Sequence, residues 1–180
     1  MAFTFGNRRG VFINIEEEIA KTPDPISSET VNRFERFDEI YRATCALCFN
    51  YVPTSGHPGG SISAGRTMSA LLFNTMDYDI SDPIREDADI ISFAAGHKSL
   101  GLYVMWALRN EAVRIAAAEL LAQEEKYQLR IEDLLGFRRN PITNTPLFVI
   151  YRVKPLDGHP TPTTPFVRLS TGASGVGMAS

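Results

Sequence analysis

The chain has three histidines, and each directly follows a glycine: His57 in SGHPGGS, His97 in AAGHKS and His159 in LDGHPT. Imidazole gains and loses a proton near neutral pH, which suits it to general acid and base work. A glycine beside it clears the backbone, so a bulky ligand can come close. Taken singly, each Gly-His pair is an ordinary turn. Together they point to one site built from three loops. A three-histidine metal centre is the weaker reading, because no carboxylates accompany the histidines at ligand spacing.

Two other motifs carry possible chemistry. Cys45 and Cys48 form a CxxC in RATCALCFNY, with no second CxxC and no histidine nearby. Their surroundings are strongly helical in pattern, which favours two small core residues on one helix face over a redox pair. The run LSTGASGVGMAS places Gly172, Gly175 and Gly177 at the start of a small-residue helix. Such a loop offers free N–H groups to a phosphate, although a glycine-rich close-packing turn fits the same letters.

The elements that must position these groups can be read from periodicity. Ser27 or Ser28 caps a helix whose apolar residues Val31, Phe34, Phe37, Ile40, Tyr41, Cys45 and Cys48 recur at helical spacing, ending near Asn50. The SGHPGG turn follows, and Ser61 or Ser63 caps a second helix with Met68, Leu71, Leu72 and Met76 on its apolar face. ADIISFAA is expected as a buried parallel strand ending at His97, then a helix over KSLGLYVMWALRN. A long helical stretch, EAVRIAAAELLAQEEKYQLRIEDLLG, is expected to break near Gln128 and stop at Gly136, and PLFVIYRV is a second candidate strand. The expected fold class is therefore α/β, a parallel sheet flanked by helices, with His97 at the carboxyl edge where such sheets bind ligands.

Composition narrows the partners. A net charge of −3 and the lack of a basic run argue against nucleic acid. Glu16, Glu17 and Glu18 interrupt the short apolar patch after Arg8 and Arg9, against a signal peptide. No apolar run is long enough to cross a bilayer, so a cytoplasmic protein is expected.

Taken in order, SGHPGGSIS, AAGHKSLGLY, LDGHP and STGASGVGMA resemble the N-terminal thiamine-diphosphate-binding domain of transketolase. HPGG is similar to the N-terminal chain of transketolases made as two chains, and LLFNTMDYDISDP to the family's link from its second helix to the strand. The resemblance divides the chain into an N-terminal extension, 1–26, and the first part of that domain, 27–180. It implies that His57, His97 and His159 are catalytic and line the substrate channel. His97, Gly172 and Ser174 would contact the cofactor. Thiamine diphosphate with Mg²⁺ would be the cofactor, sugar phosphates the substrates, and transfer of a two-carbon ketol unit the reaction. A homodimer or a complementary chain would complete the site.

The sequence also departs from the family. The Gly-Asp-Gly run and later Asn that hold Mg²⁺ do not occur at the expected place beyond the Gly172 helix, so no metal ligand is assigned within the chain. The second-domain glutamate is missing too, and the segment between His97 and His159 is longer than the family's. The chain alone is therefore expected to be inactive. Two alternatives remain: an E1-type 2-oxoacid dehydrogenase piece of the same superfamily, or a non-catalytic binding or regulatory module that keeps the half-site.

Overall fold

The computed structural model describes residues 3–5, 10–12, 14–21, 26–52, 57–93, 95–138, 146–161 and 167. The chain divides into two compact units, Met1–Glu35 and Arg36–Ser180. In the first, strands β1 (Phe3–Phe5) and β2 (Gly10–Phe12) pair antiparallel, with Phe3 opposite Phe12. Helix α1 (Ile15–Lys21) follows, with the Glu16 N–H donating to Asn14 Oδ1 at 3.1 Å. Helix α2 (Ser28–Tyr51) then starts where the sequence signals it: Thr30 N–H donates to Ser27 Oγ at 3.1 Å, satisfying one of the orphan donors of the first turn.

The second unit is helical. From α2 it takes Tyr41, Cys45 and Cys48, which lie on one face and are buried, whereas Ile40 is exposed. Helix α3 (Pro58–Ser63) is followed by α4 (Gly65–Ala70), which runs into one wider turn over Leu71–Thr75. The start at Pro58 is earlier than the serines suggest, because proline's fixed φ suits the first helical position and its missing N–H costs nothing there. Helix α5 (Ser99–Ala116) lies at the centre. Every residue from Ser99 to Ala107 is buried, so this stretch contacts protein all round rather than along one stripe. It packs in one core with Tyr41, Cys45, Met68, Leu72, Leu134 and Phe137. Full burial of each large apolar side chain contributes about 1.5–3 kcal/mol before entropy is counted.

The expected parallel sheet is not present among the described residues. Their strand pairing consists of β1–β2 and one isolated parallel bridge between Phe137 and Leu156. The ADIISFAA segment has no strand over its described residues 88–93, and Ile90 is exposed where a buried strand would cover it. PLFVIY is a helix, α6 (Pro146–Tyr151), again with proline first. Short apolar runs suit a buried strand or a helical turn equally. A parallel strand also needs partners for its N–H and C=O groups, and with PLFVIY helical none is available among these residues.

The long helix also ends sooner than its composition implies. After Ala116 the chain forms three short 3₁₀ turns, Ala118–Leu120, Glu125–Tyr127 and Ile131–Gly136. Polar side chains hold the returning chain against α5: Asn110 Nδ2 donates to Leu129 O at 3.1 Å, and Arg114 Nη2 to Gln128 Oε1 at 3.0 Å. Asp133 is fully buried and well satisfied, accepting the Arg130 N–H at 2.9 Å and the Lys154 N–H at 3.0 Å. The bridge is sealed by Leu156 N–H to Gly136 O at 3.1 Å and Arg138 N–H to Leu156 O at 2.8 Å.

Two measurements check this packing. A methyl at Gly136 would overlap the Lys154 carbonyl, a backbone atom that cannot swing aside, whereas one at Gly59 meets nothing within 4 Å. Gly136→Ala is expected to cost about 2 kcal/mol or more, and Gly59→Ala to be neutral or to stabilise by up to about 1 kcal/mol; thermal unfolding of both variants separates them. Burial also raises both thiols, Cys45 to about 12 and Cys48 to about 11. Both should be unreactive to a thiol reagent in the native state near pH 8 and react at once in denaturant.

Candidate active site

The first loop reaches the site through α3. His57 precedes Pro58, and Ser61, one turn on, is buried with its Oγ donating to Lys98 O at 3.3 Å. Tyr41 Oη donates to Ser61 O at 2.6 Å, fixing α3 to α2. Gly60 leaves room for the Lys98 stem: a methyl there would meet Lys98 Cγ at 3.1 Å and Cε at 3.3 Å. The second loop is a tight turn, Gly96–Lys98, feeding directly into α5 at Ser99. The His57 and His97 rings come to 5.1 Å between centroids, tilted by 59°.

The third loop is tied to the first turns of α5. Ser99 Oγ donates to Gly158 O at 2.8 Å and Tyr103 Oη to Asp157 O at 3.0 Å. His159 follows and is exposed, while Pro160 after it is fully buried and anchors the loop. Arg138 lies against Gly158, its Nε 2.9 Å from where a Cβ would sit. Arg138 takes a left-handed backbone, with φ of 55°, a conformation uncommon for residues other than glycine.

The electrostatics join the three loops. His97, half-buried, is held below the usual histidine range first by burial, then by the positive charge of His57, Lys98, His159 and Arg138. It is therefore neutral at physiological pH and able to accept a proton. Lys98 and Arg138 are the cationic side chains of this set. Such a set can shuttle protons at hydroxyl or carbonyl oxygens of a ligand while attracting its anionic groups.

His57 and His97 are thus brought together, and His159 adds a smaller contribution to the lowering of the His97 pKa. Gly172 and Ser174 lie outside the described residues. Among the described residues no group of three His, Cys, Asp or Glu could hold a metal ion. Sequence reasoning overlooked Lys98, Ser99, Tyr103 and Arg138. The first two stand beside His97 in the GHKS stretch, and Tyr103 lies one helical turn after Ser99, so spacing alone could have proposed them. Nothing local marks Arg138. A separate shallow cleft, lined by Trp106, Arg109, Asn110, Tyr127 and Gln128 among others, includes none of the histidines. There the Arg109 guanidinium stacks over Trp106 at 3.8 Å.

Comparison with known proteins supplies the relatives. No family model matches the chain. It is 32% identical to mouse (Mus musculus) transketolase-like protein 2 over 139 residues, 77% of this chain and 17% of that protein. It is 32% identical to human (Homo sapiens) transketolase over 152 residues, 84% of this chain and 18% of that one, and 31% identical to the rat (Rattus norvegicus) transketolase over the same shares. The chain is transketolase-related, and it spans less than a fifth of the length of these curated relatives.

The charge on His57 contributes to the depression of His97, so His57→Gln should raise the His97 pKa, as read from its imidazole proton shifts by NMR. Because the folded-state value lies below the unfolded one, His97 adds stability above the ordinary histidine pKa. That increment is lost as pH falls through the His97 value, and denaturation at a series of pH values should show it.

Proposed function

We propose that the chain supplies the histidine-bearing part of a thiamine-diphosphate-dependent transketolase, which moves a two-carbon ketol unit between sugar phosphates. The observation that carries this reading is the approach of His57 to His97 at the start of α5, with the His159 loop tied to the same turns. Imidazoles beside fixed cations suit a ligand that is anionic and rich in hydroxyls. That donor set fits thiamine diphosphate and sugar phosphates better than an apolar ligand.

When bound, thiamine diphosphate supplies the carbon nucleophile for such a reaction. The chain's own part is positioning and proton transfer. His97, neutral at working pH, accepts a proton from a substrate hydroxyl, and His57 and His159 donate or accept at neighbouring oxygens. Lys98 and Arg138 orient the anionic ends. By resemblance Gly172 and Ser174 approach the cofactor through the backbone.

By the resemblance, Mg²⁺ would be held by residues of another segment. A homodimer or a complementary polypeptide would contribute further residues to the site. A cytoplasmic setting accords with the two free, buried thiols. Among the described residues no helix is long and apolar enough to cross a membrane.

A graft tests the reading. Replacing the aligned segment of human transketolase by this chain should preserve ketol transfer. In the graft His97→Ala should lower kcat about 100-fold or more with an unchanged melting temperature. A folded, cofactor-loaded graft without turnover, or one indifferent to His97→Ala, contradicts it.

A further inference from the structure

We infer that the exposed apolar turn of α6, with the basic residues that flank it, docks the chain on the surface of an anionic lipid bilayer. This goes beyond the catalytic reading and uses none of the three histidines.

Two features of the sequence coincide in this stretch. Leu147, Phe148, Val149, Ile150 and Tyr151 are consecutive apolar residues. From Phe137 to Leu156 the chain carries Arg138, Arg139, Arg152 and Lys154 but no Asp or Glu. The whole chain has a net charge of −3, so this basic character is local. The segment lies in the stretch between His97 and His159 that is longer than the family's, outside the motifs that carry the resemblance.

Folding does not put these apolar residues away. Val149 is 64% exposed and Ile150 73%, with Leu147 and Tyr151 at 45% each. At about 100° per residue, those four side chains point round more than half of the turn and leave only the sector of half-buried Phe148. Contiguous exposed apolar surface marks a contact site. A second copy of the chain, or a folded partner, would cover one side of such a turn and leave the other in water. A bilayer closes round all of it. With six residues α6 is about 9 Å long, far too short to span a bilayer. Its place is therefore the boundary of headgroups and acyl chains, with Arg152 beside the lipid phosphates. Tyr151 suits that boundary, because its ring is apolar and its hydroxyl polar.

The turn is also fastened to the body. Arg130 Nη2 donates to Tyr151 O at 2.8 Å and to Arg152 O at 2.9 Å, and it pairs with the buried Asp133 at 3.2 Å. The Lys154 N–H donates to Asp133 Oδ1 at 3.0 Å, and its ammonium donates to the carbonyls of Glu125 and Gln128. Lys154 thus serves the clamp, whereas Arg152 is exposed directly after Tyr151. Of the acids on the supporting turns, Asp133 and Glu125 are both held by Arg130, the latter at 3.7 Å. A segment already ordered in this way enters lipid with little further loss of conformational entropy.

The experiment mixes the 180-residue chain with vesicles of phosphatidylcholine and phosphatidylserine in equal parts and measures the bound fraction by flotation. Binding is expected, falling about tenfold or more on pure phosphatidylcholine and weakening as salt rises. Ile150→Asp puts a charge at the most exposed apolar position of the turn. It should lower binding about tenfold or more with an unchanged melting temperature. Arg152→Asn, which suits the left-handed φ of 48° there, should weaken binding to the mixed vesicles and leave that to neutral ones unchanged. A polarity-sensitive dye attached through Ile150→Cys, with Cys45 and Cys48 buried, should shift to the blue on binding. The dye decides the point if the aspartate variant does not fold. No binding to the mixed vesicles, binding untouched by Ile150→Asp in a folded chain, or a bound dye without a shift overturns the proposal. So does a concentration-dependent dimer that Ile150→Asp abolishes, because the turn is then an interface between copies. No cofactor or turnover is involved, so an inactive graft leaves lipid binding standing, and a failure here leaves the catalytic reading standing.

Discussion

Two hydroxyl groups on the first turns of α5 hold the candidate site together. Ser99 and Tyr103 donate to the carbonyls of Gly158 and Asp157, more than fifty residues away along the chain. A loop of this kind pays backbone entropy for its order. Paired carbonyls and a buried Pro160 offset that cost, so His159 is presented at the helix head. The other side of the same turn is held by Ser61, whose hydroxyl reaches the Lys98 carbonyl and whose own carbonyl accepts from Tyr41. Helix α5 is thus the post to which both outer loops are fastened.

That arrangement explains why α5 is buried on all sides. A helix enclosed from Ser99 to Ala107 does not shift easily, because interiors are close-packed and moving it would open voids. Its rigidity passes to the Gly96–Lys98 turn, and so to His97. The carbonyl-rich return of the chain is secured at its far end by the buried Asp133, which gathers the Arg130 and Lys154 amides. Burying a carboxylate is costly unless such donors surround it. Here they also close the segment that brings Arg138 and the third histidine back towards α5.

The features written locally in the chain were the legible ones. Three glycine-histidine pairs signal close backbone approach, and the Ser27 cap with the spacing of Tyr41, Cys45 and Cys48 marks α2 and its buried face. Features decided by distant partners were not legible. ADIISFAA and PLFVIY have the residues of buried strands, yet an apolar run of six to eight residues takes whichever form its neighbours complete. The helix expected through the alanine-rich stretch stops at Ala116, because Asn110 and Arg114 capture the chain that follows. The clamps at Ser99 and Tyr103 escaped notice for the same reason: their acceptors are backbone carbonyls of another loop, and carbonyls leave no mark in a sequence. Gly172 and Ser174 belong to the part of the reading that rests on resemblance.

The central claim is that separate loops converge on α5 so that their imidazoles share one site. Nuclear Overhauser effects between histidine ring protons test it most directly, because three histidines give few and well-separated signals. A ring separation of 5.1 Å between centroids predicts a cross-peak between His57 and His97 in the folded chain, lost when either is replaced. Sharp, assigned histidine signals with no such cross-peak would contradict the account.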